Sequence, residues 1–398
     1  MNPVPPTFRC TLLSLSVLPL SAFSAGVPTL QEVVVSAGAQ TMTGVADSAS
    51  EGTVTAKQLA ARPLLRPAEA METVPGMIVT QHSGDGKANQ YFLRGFNLDH
   101  GSDFASYIDG MRVNNVSHAH GQGYMDLNFL IPELIGRLRY RKGVYAAEDG
   151  DFAVTGSARI DYARTLAAPF VDLTVGGHDY RRLLAAGSRA LTDDINALAA
   201  VEYVGNNGPW DVPEHVGKRN LVMKLSRGTA QNGQALSLMA YDAQWTATEH
   251  VPERAIDNGE IGRYGTLAPR DGGRTHRYSL AYDWAESGID VLRRANVYVI
   301  DYGLNLFSSP SGLLDGQHEQ ADQRTAWGGN ASQTWLLGER GFDSEAMARA
   351  SRAKRSVASK SLMSVGSRTL IATSVPSSMC FAARTCAIPP EPTMRSTR

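Results

Sequence analysis

Long segments of alternating residues beyond Leu166 constrain the fold of this chain most. In the segment 275–284, THRYSLAYDW, one face carries large apolar and aromatic side chains, namely Tyr278, Leu280, Tyr282 and Trp284. The segments 195–204, 238–245 and 297–307 alternate in the same way. A period of two is typical of β-strands, and strands of about 10 residues with aromatic residues on the apolar face are typical of transmembrane barrels. We therefore predict an antiparallel barrel whose apolar faces point outward, which for 297–307 is the face of Tyr298.

A soluble β-sandwich is the alternative, because its strands alternate too. The length of the strands and the aromatic residues at their ends favour the barrel. Two long polar connections, 205–219 and 249–274, have the composition of external loops. Between Phe170 and Leu337 the alternation predicts roughly eight strands.

The N-terminal residues predict export. An apolar run, Cys10 to Phe23, follows Arg9 and leads into Ser24 and Ala25. Residues 1–25 therefore resemble a signal peptide, and the run is shorter than the ~20 residues of a membrane-spanning anchor. The net charge of -1 provides no basic field, so we expect no nucleic-acid partner. Residues 11–379 contain no cysteine, which excludes thiolate metal sites and disulfides from that span.

Residues 26–50 are small, polar and flexible apart from one short valine-rich segment. This segment, LQEVVVSAG, begins at Leu30 and ends at Gly38. Its strand propensity makes it a candidate for pairing with the sheet edge of another protein. An edge strand of the first domain is the equal alternative.

Residues 51–165 predict a compact α+β domain, followed by the strands of 166–341. The segment 55–76 has the pattern of two helices joined by a turn, with predicted buried positions Leu59, Leu64, Leu65 and Met71. The remaining segments predict strands at 77–80, 89–96, 105–108, 111–113 and 158–162, and a short helix leading into a strand at 131–139.

Together these parts resemble a TonB-dependent outer-membrane receptor. The specific matches are Pro75-Gly76-Met77-Ile78-Val79, Leu93-Arg94-Gly95-Phe96, Ile108-Asp109-Gly110 and the segment 131–160. The resemblance implies that the α+β domain is a plug filling a large barrel in the outer-membrane lipid. It also implies that a TonB box binds the periplasmic energy-coupling protein TonB; the box residues are Leu30, Gln31, Glu32, Val33, Val34 and Val35. One departure is Val144, where the family usually has proline.

The plug-motif residues are expected to be structural. They are Arg94, Gly95, Phe96, Asp109, Gly110, Arg141 and Gly143. A guanidinium buried at Arg94 would need carboxylate partners in the plug or the barrel wall. Asp109-Gly110 suits a tight hairpin turn between plug strands.

Four histidines lie in three polar, glycine-containing loops: His82, His100, His118 and His120. The resemblance places these loops at the apical side of the plug, which faces the cell exterior and contacts the ligand. Imidazoles there could ligate or hydrogen-bond a small ligand such as a metal chelate or haem. Solvated loop histidines are the alternative. No resident metal or cofactor is predicted.

The predicted function is energy-coupled import of a scarce ligand, such as an iron-siderophore or another metal chelate. A passive porin-like or adhesin-like barrel is the first alternative, and a secreted β-rich enzyme is the second. No catalytic residues are predicted, since the sequence has no GxSxG elbow and HEQAD near His318 lacks the second histidine of HExxH.

The end of the chain departs from this pattern. Plugged transporters have about 22 strands, and a barrel of eight strands encloses only its own side chains. Residues 342–398 are rich in Ser, Ala, Arg and Lys and do not alternate. We therefore expect an incomplete barrel followed by a tail encoded out of frame, with a basic interaction tail as the alternative.

Overall fold

The computed structural model describes residues 45–46, 49–247, 249–289, 291–309 and 316–335, and the backbone of two further strands at 359–360 and 364–371. The predicted signal peptide and TonB box lie outside the described residues. No helix among the described residues has the length and apolar composition needed to cross a membrane.

The plug consists of short strands and helical turns. Its strands in chain order are β1 (Val45–Ala46), β2 (Glu51–Thr55), β3 (Met77–Thr80), β4 (Gln90–Leu93), β5 (Phe96–Asn97), β6 (Phe104–Ile108), β7 (Met111–Arg112), β8 (Ile135–Lys142) and β9 (Gly156–Tyr162). One sheet has the order β1-β2-β8-β9-β6-β7, with β6 and β9 parallel. The other has the order β3-β4-β5. The strands predicted for this domain are present, except that the predicted single strand 89–96 is divided into β4 and β5 by a turn at Arg94 and Gly95, and β1 and β2 were not predicted.

Helical structure in the described part of the plug is limited to short segments of three to seven residues. Helix α1 spans Ala56–Ala60, and 3-10 helices span Pro67–Thr73, Pro132–Leu134 and Ala147–Asp149. Leu59 and Met71 are buried as predicted and Leu64 is half-buried, but Leu65 is 81% exposed. The prediction for Leu65 was wrong because α1 ends before it and the helical period does not continue. The backbone N–H of Leu65 instead donates to the Glu69 carboxylate at 2.8 Å.

The second part of the chain is one long antiparallel sheet, which we call the wall sheet. Its strands are β10 (Phe170–Val175), β11 (Arg181–Ala190), β12 (Ile195–Asn206), β13 (Val216–Gly228), β14 (Gly233–Thr246), β15 (Gly272–Ser287), β16 (Val291–Ser308) and β17 (His318–Trp335), with helix α2 (Glu253–Asp257) in the connection before β15. Each strand pairs with the next one in the chain. The strands β18 (Ser359–Lys360) and β19 (Ser364–Ile371) both pair with β17. The predicted number of roughly eight strands between Phe170 and Leu337 is confirmed by β10 to β17, and the four alternating segments specified from the sequence lie in β12, β14, β15 and β16.

Strand β15 has the predicted orientation. Tyr278 and Leu280 on its outer face are 46% and 42% exposed, whereas Arg277 and Ser279 on the other face are each 6% exposed and lie towards the plug. In this part of β15 the apolar side chains therefore lie outside and the polar side chains inside, as in a membrane barrel.

Strand β16 has the opposite orientation to the one predicted. Its inward face carries Ile300, Tyr302, Leu304 and Leu306, which are at most 7% exposed, and its outward face carries Val297 and Val299. The register decides the orientation, because Tyr302 pairs with Arg277, and directly opposed residues share one face of a sheet. Since both faces of β16 include apolar residues, the sequence pattern alone could not assign them.

Candidate ligand site at the plug loops

The four predicted histidines come together where three plug loops meet the wall sheet. The ring centres of His82 and His100 are 5.0 Å apart, and those of His100 and His120 are 4.6 Å apart. His250, from the long connection between β14 and β15, stacks on His82 at 5.5 Å. We call His82, His100, His120 and His250 the histidine row. His250 was missed from the sequence, although its connection had been predicted to be an external loop.

Hydrogen bonds fix the tautomer of His100 and His120. The Nδ1 atom of His100 lies 3.0 Å from the carbonyl oxygen of Ala88 and 3.1 Å from that of Asn89. A carbonyl oxygen can only accept, so Nδ1 carries the proton and Nε2 keeps its lone pair. His120 Nδ1 lies 2.7 Å from the side-chain oxygen of Gln320, which gives His120 the same tautomer. The amide of Gln320 is oriented by a bond from its nitrogen to the Ala119 carbonyl, at 3.2 Å.

His118 is built differently. Its Nδ1 accepts a hydrogen bond from the backbone N–H of His120 at 3.1 Å, so its Nε2 donates to the Tyr302 hydroxyl at 3.0 Å. Its ring stacks on Tyr124 with a centroid distance of 4.0 Å and an angle of 6°. Both nitrogens are used within the protein, which assigns His118 a supporting position behind the row.

Burial favours the neutral form of the imidazoles of His82, His100, His118 and His120. Burial, followed by the repulsion of neighbouring His120, lowers the pKa of His100 to about 4. Burial lowers the pKa of His118 to about 3, and it is also the main cause of the lowered pKa of His82 and His120. Desolvation disfavours the charged form of each ring, and a neutral ring keeps a lone pair available.

A buried ion pair borders the row. Lys87 Nζ, in the plug, lies 3.7 Å from Glu249 Oε1, in the wall connection, and their side chains are only 6% and 7% exposed. Burial lowers the pKa of Lys87, while Glu249 opposes that shift. The pair connects the loop after His82 to the segment of His250. Among the described residues, no group of three His, Cys, Asp or Glu side chains is already arranged to hold a metal ion.

Arg94 and Phe96 have surface positions. Arg94 and Gly95 form the turn between β4 and β5, and both have positive φ angles, of 52° and 81°. The Arg94 backbone donates to Gly76 O at 2.8 Å, but its side chain is exposed and makes no ion pair with any described residue. The carboxylate partner expected for Arg94 was therefore wrong, because the turn directs this side chain into solvent. Phe96 is 52% exposed.

Asp109 and Gly110 form the predicted hairpin turn between β6 and β7. Their φ angles of 44° and 78° are both positive, as a two-residue turn of this kind requires. The Asp109 carboxylate also accepts hydrogen bonds from Lys224 Nζ at 2.9 Å and Ser237 Oγ at 3.1 Å, which are wall residues. The backbone N–H of Tyr162 is its third donor, at 3.0 Å. We call Asp109 with these three donors the Asp109 anchor, a contact that sequence reasoning missed.

Arg141 and Gly143 support the plug sheet. Arg141 pairs with Glu51 at 3.0 Å, Asp149 at 3.2 Å and Glu148 at 3.3 Å, which attaches β2 and a 3-10 helix to β8. Gly143 has a φ of 101°, a conformation that favours glycine.

A family comparison agrees with this architecture. Residues 45–157 match the family model described as TonB-dependent Receptor Plug Domain. Residues 45–157 thus form a plug domain of the TonB-dependent receptor type, and the resemblance inferred from the sequence is confirmed for this domain. The family is one of outer-membrane transporters.

Solved structures show the same fold. The siderophore receptor PiuA from Acinetobacter baumannii aligns with 73% of this chain and 43% of its own, at a TM-score of 0.55 and 15% identity. The ferric yersiniabactin uptake receptor FyuA from Yersinia pestis aligns with 73% of this chain and 46% of its own, at a TM-score of 0.59 and 14% identity. The copper transporter OprC aligns with 76% of this chain and 45% of its own, at a TM-score of 0.57 and 15% identity. The chain therefore spans less than half the length of these three receptors.

Proposed function

We propose that this chain belongs to a TonB-dependent transporter that binds a small ligand, such as a metal chelate, at the histidine row and imports it across the outer membrane. The observation that carries the proposal is the convergence of three plug loops and one wall connection on four imidazoles. Two of them have a fixed tautomer with a free lone pair. The likeness to siderophore and copper receptors in fold agrees with this ligand class.

Energy coupling is the second part of the proposal. The residues Leu30 to Val35 would pair with TonB by strand addition, and force on them would displace the plug. A plug held by buried charges, Asp109 to Lys224 and Lys87 to Glu249, needs an energy source to move. The same contacts disfavour the passive porin-like alternative, because a plug seated against the wall obstructs free diffusion.

Deletion of Gln31 to Val35 at the native locus tests the coupling. We expect uptake of the labelled metal chelate to fall to background, while the amount of receptor in the outer-membrane fraction stays unchanged. The matched control is deletion of residues 39–43, five residues of the same segment 26–50, which should leave uptake intact. Uptake that persists without Gln31 to Val35 would support the passive pore instead.

A further inference from the structure

We propose that the histidine row directly coordinates a borderline divalent metal ion, of the class of Cu²⁺, Ni²⁺ or Zn²⁺, through Nε2 of His100 and Nε2 of His120. This inference rests on the proposed function and names its ligand chemistry. It requires no chelator between the protein and the ion, because neutral imidazoles are ligands that these ions prefer.

The first argument is the orientation of the two rings. Metal-binding histidines typically donate the N–H of the other ring nitrogen to a carbonyl or carboxylate oxygen, which fixes the tautomer and makes the ligating nitrogen more basic. His100 donates to the carbonyls of Ala88 and Asn89, and His120 donates to the side-chain oxygen of Gln320. Neither Nε2 atom makes a hydrogen bond within the described structure.

The second argument is spacing. A metal–nitrogen bond of about 2 Å places each imidazole centre roughly 3 Å from the ion, so two rings at a tetrahedral angle have centres about 5 Å apart. The centres of His100 and His120 are 4.6 Å apart, and those of His82 and His100 are 5.0 Å apart.

Two further groups are available to complete the coordination. The Nδ1 atom of His82 is buried and has no hydrogen-bond partner in the described structure, an unusual condition for a buried polar atom. The Asp99 carboxylate lies 3.7 Å from His100 Nε2, is 60% exposed in its side chain and can turn towards an ion. Since no three of these side chains already surround one point, we expect His100 and His120 to bind first and His82 or Asp99 to rotate into place.

His118 provides a contrast within the same loop. Both of its nitrogens are occupied, by the His120 backbone N–H and by Tyr302, so it is excluded from the ligand set. The structure thus separates two histidines that are only two residues apart, one as a ligand and one as a support.

Titration of the purified 398-residue chain with CuSO₄, NiCl₂ or ZnSO₄ tests the inference. Cys10, Cys380 and Cys386 are replaced by serine, because thiolates would bind these ions. We expect binding of one equivalent, with affinity lowered more than about 10-fold by His120→Ala and by His100→Asn, the latter keeping a donor for the carbonyls. For Cu²⁺, the electron paramagnetic resonance spectrum should show coupling to nitrogen in the parent chain and reduced coupling in both variants.

Two variants separate coordination from damage to the fold. Gln320→Leu removes only the group that fixes the tautomer of His120, and it should weaken binding by about 10-fold without removing a ligand. His178→Asn replaces an exposed histidine at a φ of 57°, a conformation that Asn tolerates, and it should leave the affinity unchanged. Circular dichroism confirms that each variant retains its strands.

The inference is overturned if the parent chain binds none of the three ions, or if His120→Ala and His100→Asn both bind as the parent does. This outcome is independent of energy coupling, because the purified chain needs neither TonB nor a membrane potential. Metal binding without uptake would overturn the transport proposal alone. Chelate uptake that depends on Gln31 to Val35, together with absent metal binding, would overturn only the direct coordination.

Discussion

Two of the regions where the plug contacts the wall sheet use their polar groups in opposite ways. At the Asp109 anchor, one carboxylate accepts three hydrogen bonds and the paired Lys224 donates a second bond to Tyr162 O at 2.9 Å. In the histidine row, His82 Nδ1 has no hydrogen-bond partner among the described atoms, and Nε2 of His100 and His120 makes no hydrogen bond there. A buried site with its bonding capacity filled holds a structure together, whereas the spare capacity of the histidine row is available to the ligand that we propose.

Loss of the anchor charge is expected to have the largest effect. Asp109→Asn retains a residue that tolerates a positive φ but removes the charge that pairs with Lys224, whose side chain is 5% exposed. An uncompensated buried ammonium costs about 3–5 kcal/mol, so urea unfolding in detergent should shift by that free energy. Arg227→Gln is the control, because its pair with Asp194 is 59% and 60% exposed and should contribute at most about 1 kcal/mol. Equal shifts for the two variants would refute the assigned role of the anchor.

Local sequence pattern predicted the elements of this fold, but it did not predict contacts between distant segments. Strands were found because alternation is a property of neighbouring residues, and the turn at Asp109 was found because its chemistry lies within two residues. The pairing of Asp109 with Lys224, 115 residues away, has no local signal. The predicted orientation of β16 and the expected carboxylate partner of Arg94 were wrong for the same reason.

In the candidate site, too, local features were predicted from the sequence and contacts between distant residues were not. The four plug histidines were selected from the sequence as members of glycine-containing polar loops, and the structure brings them together. Which of them keep a free lone pair depends on Gln320, Tyr302 and the Ala88 carbonyl, residues that are up to 200 positions away in the chain. The position of His250 beside His82 depends on the conformation of the long connection between β14 and β15, which has no local sequence signal.

Asp126 sharpens the comparison, because it is a buried plug carboxylate that, unlike Asp109, forms no ion pair with any of the described residues. It is 7% exposed and accepts a hydrogen bond from Asn128 N at 2.8 Å, and burial raises its pKa to about 6. The folded state therefore favours the protonated acid. Stability that is present below pH 4 is lost as the pH rises to about 6, and the loss reaches about 3 kcal/mol.

Asp126→Asn mimics the protonated acid and tests this assignment. The variant should match the parent chain near pH 4 and become more stable by up to about 3 kcal/mol above pH 6, as measured by urea unfolding at several pH values. Because all other titrating groups are shared, the difference between the two chains isolates Asp126. A difference that is constant across pH would contradict a raised pKa.

Gly86 tests how closely the plug approaches the wall beside the histidine row, and the expected effect is the smallest. A Cβ atom at this position would lie 1.9 Å from the ring of Trp245, so Gly86→Ala must displace a buried ring. Overpacking of this kind costs about 1–3 kcal/mol. Gly177→Ala is the matched control, since a Cβ there meets no atom within 4 Å. Lys87 follows Gly86 and its ion pair borders the histidine row, so Gly86→Ala should also weaken metal binding. Adding Trp245→Leu to the same chain makes room for the new Cβ atom and should restore part of the lost stability and part of the lost metal affinity.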